Sequence, residues 1–335
     1  MKGPMPFAIK IEKGEGNSQR GDEWMLLTLK TGVWTGFKTA WTLGKIIFPV
    51  TLIVTMLQYT PILQWIIKFI SPIMKIFGLS GNAAIPIVLG NFLGLYAGIG
   101  GILSLDLTVK EVFIIAIMMS FAHNLIIESS VAVKVGVKIW VMIATRIGLA
   151  VISGIVINLL WRGGSEKAQY GMMPQHQEEI HGIAAIFMQG LEKAGYGIFQ
   201  LVVIVIPLMI VIQILKDLKW LDVFSNWVSP ITKALGMKAN TSTTLAAGLI
   251  FGLAYGSGVM IQAVKEDGVS RKDVTLAFLF LVACHAVIED TLVFLPLGIP
   301  VQYLLMIRII TAVLLTILVS FAWNRVETAR RKEAA

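Results

Sequence analysis

Gly90-Asn91-Phe92-Leu93-Gly94-Leu95-Tyr96-Ala97-Gly98-Ile99-Gly100 sets glycines at 90, 94, 98 and 100. Gly248-Leu249-Ile250-Phe251-Gly252-Leu253-Ala254-Tyr255-Gly256-Ser257-Gly258 sets them at 248, 252, 256 and 258, a constant offset of 158. Glycines four apart line one face of a helix, and in lipid such a face lets a second backbone come close. Glycine also weakens a helix and tolerates unusual dihedrals, so the same stretch reads as a broken or re-entrant segment. Two copies in corresponding halves point to a substrate site in a transporter built from repeats, with tight helix packing as the competing reading. Gly90, Gly94, Gly98, Gly248, Gly252 and Gly256 are thus candidate points of close backbone approach.

The offset reaches far beyond the two ladders. Gly32 matches Gly190, Pro49 matches Pro207, and Ser71-Pro72-Ile73 matches Ser229-Pro230-Ile231. Lys75, Gly78 and Asn82 match Lys233, Gly236 and Asn240. A four-residue insertion near residues 266–269 moves the offset to 162. His123 then matches His285, Glu128 matches Asp290, Arg146 matches Arg308, and Trp161 matches Trp323. A duplication explains why histidine, acid, arginine and tryptophan share one offset. The organisation expected is a flexible cytoplasmic tail (1–23), a first repeat (24–161), a polar linker (162–183), a second repeat (184–324) and a basic cytoplasmic tail (325–335).

Composition sets the solvent. Of 335 residues, 56% are hydrophobic and 14% charged, against roughly 25% charged in soluble domains; the mean hydropathy is +0.79. Several apolar runs approach the roughly 20 residues that span a bilayer. The fold expected is an all-α polytopic membrane protein of the cell (inner) membrane, with the lipid bilayer as its first partner. The net charge of +8 sits at the chain ends and in short loops, where it orients a membrane protein rather than binding nucleic acid. No cleavable signal peptide is visible. The single cysteine, Cys284, excludes an intrachain disulfide.

Each half reads as an interfacial helix, three spans and a re-entrant helical hairpin that does not cross. An odd number of crossings inverts the second half. Residues 61–111 carry Lys68, Lys75 and Lys110, whereas residues 216–273 carry Lys216, Lys219, Lys233, Lys238, Lys265, Arg271 and Lys272. The excess in the second half fits two inverted-topology repeats with both termini inside and the linker outside.

Ionisable groups at membrane depth are functional candidates by default. His123, His285, Glu128, Glu289, Asp290, Arg146 and Arg308 stand in apolar runs. Three readings compete for them. Each arginine pairs with the nearby acid and each histidine bonds to backbone. A histidine with a nearby acid binds a proton or another cation in one state and releases it in another. Or His123, His285, Glu128, Glu289 and Asp290 hold a metal, since these donors suit zinc or iron. Asn91, Asn124, Tyr96, Tyr255, Ser257 and Gln262 offer hydrogen bonds near the glycines, and Asn82 and Asn240 sit at the two hairpin turns, where asparagine also caps helices. No P-loop, HExxH or GxSxG is present, so an enzyme is not expected.

The Ser-Pro-Ile-x-Lys…Gly…Asn turn leading into a glycine ladder, followed by His-x4-Glu/Asp and present twice, resembles the Gate or nucleoside-recognition superfamily. That group includes concentrative nucleoside transporters, the membrane part of bacterial ferrous-iron permeases, and spore-maturation proteins A and B. The likeness covers residues 30–325. It implies hairpins and partly unwound helices meeting at mid-membrane, with Asn82, Asn91, Asn124, Asn240, Glu128 and Asp290 in elements comparable to those that hold solute and ion. Residues 79–84 are poor in the glutamine and glutamate of nucleoside-carrier hairpins. The function expected is secondary transport of a small polar or ionic solute by alternating access, with H+ or Na+ as coupling ion and no other cofactor. A divalent-metal transporter and a non-transporting scaffold of the spore-maturation type are the alternatives, and a homo-oligomer stays open.

Overall fold

The computed structural model describes residues 15–170, 182–218 and 220–333, with residues 15–23 and a few others, Tyr255 among them, described by backbone alone. The described residues are helical, apart from short loops and one isolated antiparallel bridge between Thr108 and Lys167. The first half comprises α1 (Glu15–Gln58), α2 (Pro61–Ile76), α3 (Ala84–Leu93), α4 (Leu95–Leu103), α5 (Val109–Ala122), α6 (Leu125–Lys134) and α7 (Ile139–Leu160). The second comprises α8 (Ile183–Asp217), α9 (Trp220–Ala234), α10 (Ser242–Tyr255), α11 (Ser257–Glu266), α12 (Arg271–Ala283), α13 (Glu289–Leu292) and α14 (Val301–Glu333). The order of elements repeats. A short 3-10 turn precedes both α3 and α10, at residues 158 apart, and α5 and α7 begin 162 residues before α12 and α14.

By length and composition, Trp24–Leu57, Val109–Lys134, Ile139–Leu160 and Val301–Lys332 can cross a membrane. Ile67–Ile76 and Gly81–Leu93 form a pair bent by 90°, at the place where the hairpin is expected. Its corner is Gly78, at φ +67°. No side chain fits there, because a Cβ would run into Asn158 of α7. Gly236 repeats the corner at φ +82°, against Ser320 of α14.

The structure departs from the expected boundaries at three places. An interfacial helix followed by a separate span is instead one continuous helix, α1, which starts at Glu15, inside the expected tail; residues 1–14 lie outside the described part. Nothing in residues 24–58 stops it, since Pro49 bends a helix without having to end it. The expected basic tail from Arg325 continues α14 to Glu333. Of the expected linker, residues 171–181 lie outside the described residues, while its first part is strapped onto the start of α5. There the Val109 and Lys110 amides donate to Glu166 O (2.9 Å) and Gly164 O (2.8 Å). These are first-turn N–H groups with no partner inside the helix.

α5 and α12 form the centre. Every residue from Val112 to Ala122 and from Leu276 to Ala283 is buried. A helix apolar all round belongs inside other helices. Both starts are capped alike: the Thr108 hydroxyl accepts from Glu111 N (3.2 Å) and the Ser270 hydroxyl from Asp273 N (3.1 Å). Large apolar side chains such as Trp65, Phe69, Leu160 and Leu318 point outward, as a lipid solvent allows.

α1 packs against α8 through glycines. A Cβ on Gly32 would lie 2.8 Å from Ile210 Cα, and one on Gly36 would lie 2.9 Å from Ile206 Cα. Gly44 faces Ile198, and Gly190 of α8 faces Leu52 of α1. Each step forward on α1 meets a step back on α8, so the two run antiparallel. The equivalent pair Gly32 and Gly190 are met by the equivalent pair Ile210 and Leu52.

Candidate functional site

The ladders break where glycine permits. Gly94 has φ +114° and Gly252 φ +75°, dihedrals that L side chains avoid. Gly94 separates α3 from α4, and Gly252 kinks α10. The helices beside them break too. α5 ends at Ala122, His123 is extended, and Asn124 turns left-handed at φ +47° before α6. α12 ends at Ala283, and Ala286 turns left-handed at φ +42° before α13. The breaks are stitched pairwise. Asn124 N donates to Gly90 O (2.8 Å), Ala286 N to Gly248 O (3.0 Å) and Val287 N to Leu249 O (2.9 Å). The backbone groups freed by unwinding are thereby partly satisfied, which buried backbone requires.

All four breaks line one cavity of about 140 Å³. Gly94 and Gly252 both line it, with apolar residues such as Leu95 and Phe251. The polar lining is His123, Asn124, Glu128, Tyr96, His285, Glu289 and Asp290. The glycines therefore do two jobs: Gly94 and Gly252 break the helix, while Gly90, Gly98 and Gly248 admit Met119 and Leu281. A Cβ on Gly256 would come within 2.6 Å of the Gly252 carbonyl.

Arg146 and Arg308 reach the breaks from α7 and α14 and are fully buried. Arg146 Nε donates to Phe121 O (2.8 Å), and its Nη2 to Glu128 Oε2 (2.8 Å) and to His123 O. Arg308 Nη2 donates to His285 O (2.6 Å) and Asp290 Oδ2 (2.8 Å). Each guanidinium therefore binds a carbonyl bared by the break and the acid just beyond it. The arginine–acid pairs are those of the first of the three readings, and the bonds to bared carbonyls go beyond it.

The histidines go further than that reading. His123 Nδ1 lies 2.7 Å from Met119 O, and His285 Nδ1 lies 2.7 Å from Leu281 O. A carbonyl only accepts, so each Nδ1 carries the hydrogen. In the neutral ring this leaves Nε2 as a lone pair. Yet His123 Nε2 faces Glu128 Oε1 at 3.3 Å, and His285 Nε2 faces Glu128 Oε2 at 3.2 Å and Asp290 Oδ2 at 3.6 Å. Acceptor facing acceptor is repulsive unless a proton or a cation stands between them. His123, His285 and Asp290 each bring one donor atom within 4.8 Å of the others, and the two rings tilt together at 5.2 Å between centroids.

One feature of the cavity breaks the repeat. Tyr96 Oη donates to Glu289 Oε1 at 2.8 Å, whereas the equivalent positions hold Ala254 and Ile127. The other candidates stand away from the cavity lining. Asn91 donates back to Ile87 O (2.7 Å) within α3, and Asn240 to Asp267 O (2.9 Å) at the hairpin corner. Gln262 pairs with Glu266 on an exposed face (2.8 Å). Asn82 lies in the 3-10 turn before α3, and Ser257 starts α11. The side chain of Tyr255 is outside the described part. Ala286 escaped notice in the sequence, where alanine carries no sign of a left-handed position. The polar type of its counterpart Asn124, and the offset linking them, are the available signal.

A family model described as Gate, nucleoside recognition, matches residues 40–158 and 198–300. The chain is also 62% identical over 294 residues to the uncharacterized membrane protein YvoD of Bacillus subtilis (strain 168), covering 88% of this chain and 94% of that protein.

Proposed function

We propose that this chain, which belongs to the Gate (nucleoside recognition) family, is a secondary transporter moving a small polar or ionic solute by alternating access. The observation that carries the reading is the meeting of four helix breaks, two from each half, at one cavity lined by two histidines and three carboxylates. Broken helices at a repeat interface are how transporters bring backbone and charge to a solute within lipid. The two halves are inverted repeats, a reading supported by the antiparallel pairing of α1 with α8 and by the basic excess of residues 216–273. Both termini then face the cytoplasm.

Size favours an ion over a nucleoside. Pockets for drug-sized ligands run to about 300–1,000 Å³, well above the 140 Å³ found here. The walls are apolar and the polar groups converge on one spot, so charge selects the occupant. H+ or Na+ then serves as coupling ion, or as cargo itself.

The test is flux into proteoliposomes of the purified full-length chain, against a panel of cations, anions and nucleosides. The reading expects gradient-driven uptake of at least one small ion, and loss of that uptake in the His123→Ala/His285→Ala variant. Uptake that survives both substitutions removes the cavity from the mechanism. No uptake across the panel favours the scaffold of the spore-maturation type instead.

A further inference from the structure

The cavity's donor set names the class of ion. We infer that it takes one divalent first-row transition-metal ion, held by His123 Nε2, His285 Nε2 and the Asp290 carboxylate, with Glu128 spanning the edge between the two imidazoles. This deepens the transport reading, on which the ion's role as cargo rests.

Three observations carry it. The first is direction. Both Nδ1 atoms are engaged with backbone carbonyls at 2.7 Å. A metal-binding histidine usually places its second nitrogen in just such a bond, which fixes the tautomer and turns the Nε2 lone pair toward the ion.

The second is distance. Charge-assisted N–H···O bonds close to about 2.7–2.9 Å, as both arginine–carboxylate pairs here do at 2.8 Å. The imidazole–carboxylate separations are longer, at 3.2, 3.3 and 3.6 Å. Ligands about 2.0–2.1 Å from a tetrahedral ion stand about 3.3–3.4 Å from one another. Between proposed ligands, His285 Nε2 and Asp290 Oδ2 at 3.6 Å stand close to the edge of such a shell, and the donor atoms of His123, His285 and Asp290 all lie within 4.8 Å of one another. His285 Nε2, although fully buried, has no hydrogen-bond partner among the described residues.

The third is chemistry. Two imidazoles with carboxylates suit zinc, iron(II), cobalt or nickel, whereas magnesium and calcium prefer oxygen alone. Glu128 and Asp290 are each already bound to an arginine. That tempers the field at the site and suits an ion that must leave again, as passage requires.

Co2+ and Zn2+ serve as probes. Full-length protein in detergent is stripped with chelator and titrated with Co2+. The expected result is one equivalent bound per chain, with the intense visible bands of four-coordinate cobalt, displaced by Zn2+ and untouched by millimolar Mg2+. H123Q and H285Q should each weaken binding by about ten-fold or more, and the double variant should abolish the bands while eluting as folded protein. Absence of stoichiometric Co2+ or Zn2+ uptake by wild type overturns the inference without reference to any variant, and unchanged binding in the folded double variant overturns the ligand assignment. Flux separates this inference from the transport reading. Metal binding without metal flux keeps the site and defeats the metal as cargo, whereas flux of another solute by a protein that binds no metal keeps transport and defeats the metal.

Discussion

His285 Nε2 lies 3.2 Å from Glu128 Oε2, so an imidazole of the second half faces a carboxylate of the first. The same oxygen accepts from Arg146 of its own half at 2.8 Å. Glu128 is therefore both the partner that neutralises a buried arginine and the group that meets the opposite half. Any motion that opens the cavity between the halves must part Glu128 from His285, while the Arg146 bond can travel with it. The Tyr96–Glu289 bond crosses the same boundary, so two acids, one from each half, bridge the halves at the cavity.

Removing the Glu128 charge tests both roles at once. Glu128→Gln keeps the shape and leaves Arg146 without an anion, and breaking a buried pair this way costs about 3–5 kcal/mol. The expected outcome is a lowered midpoint in thermal unfolding together with loss of flux. In Glu128→Leu/Arg146→Met both charges go, so the midpoint should return toward wild type while flux stays lost. Recovery of both together would make the pair purely architectural.

The glycines should separate into those needed for conformation and those needed for space. Gly94 has φ +114°, and the nearest atom to an added Cβ is 3.9 Å away. Gly94→Ala therefore meets strain and no clash, at a cost of about 1–2 kcal/mol. Gly248→Ala has a different cause: the new methyl would overlap the Leu281 side chain, which is overpacking worth about 1–3 kcal/mol. Gly148 of α7 has open space around its Cβ position, so Gly148→Ala should be neutral or stabilise by up to about 1 kcal/mol. Unfolding midpoints of the three variants in one detergent rank them.

Ala286 is an alanine at φ +42°, where a Cβ costs about 1–2 kcal/mol. Ala286→Gly should raise stability by up to about 1 kcal/mol, the added freedom of the unfolded chain offsetting part of the relief. Its counterpart Asn124, at φ +47°, should tolerate glycine and reject valine, since a β-branched residue is an outlier there. A destabilised Ala286→Gly would mean that packing of the buried methyl, not the turn, sets the position.

Much of this is legible in the sequence. The 158 and 162 offsets are borne by residues that now occupy equivalent corners, caps and breaks: Gly78 with Gly236, Thr108 with Ser270, Arg146 with Arg308. Repeated chemistry is visible in one dimension because both copies carry the same local constraint. Where each ladder would break was not legible, because Gly90, Gly94 and Gly98 are alike as letters. Gly90 meets the unwound Asn124 through its carbonyl and Gly94 stands beside the Asn124 side chain, and those pairings depend on how α3 packs against α5. The Asn82, Asn91 and Asn240 assignments as binding groups rested on residue type; their amides either serve local backbone or lie away from the cavity lining. The continuity of α1 was hidden because an amphipathic stretch joined to an apolar one reads the same whether or not a bend lies between.

Inversion of the halves makes a prediction with a sign. Ser80 and Lys238 are equivalent under the 158 offset, both exposed, and both just before a 3-10 turn at a hairpin corner. If the repeats were parallel in the membrane, both corners would face the same side. The antiparallel run of α1 and α8 argues otherwise, since equivalent helices pointing in opposite directions carry their following hairpins to opposite faces. The basic residues give the expected direction: Lys216, Lys233, Lys238 and Lys265 belong to the basic excess of residues 216–273, and the proposed orientation puts that excess inside. Cys284 is the one cysteine in the chain and is buried, so Cys284→Ala supplies a background free of thiol. In it, Ser80→Cys should react with a membrane-impermeant maleimide added to intact cells. Lys238→Cys should react only after the membrane is opened. Labelling of both from outside, or of neither, would make the repeats parallel and remove the geometric basis for alternating access.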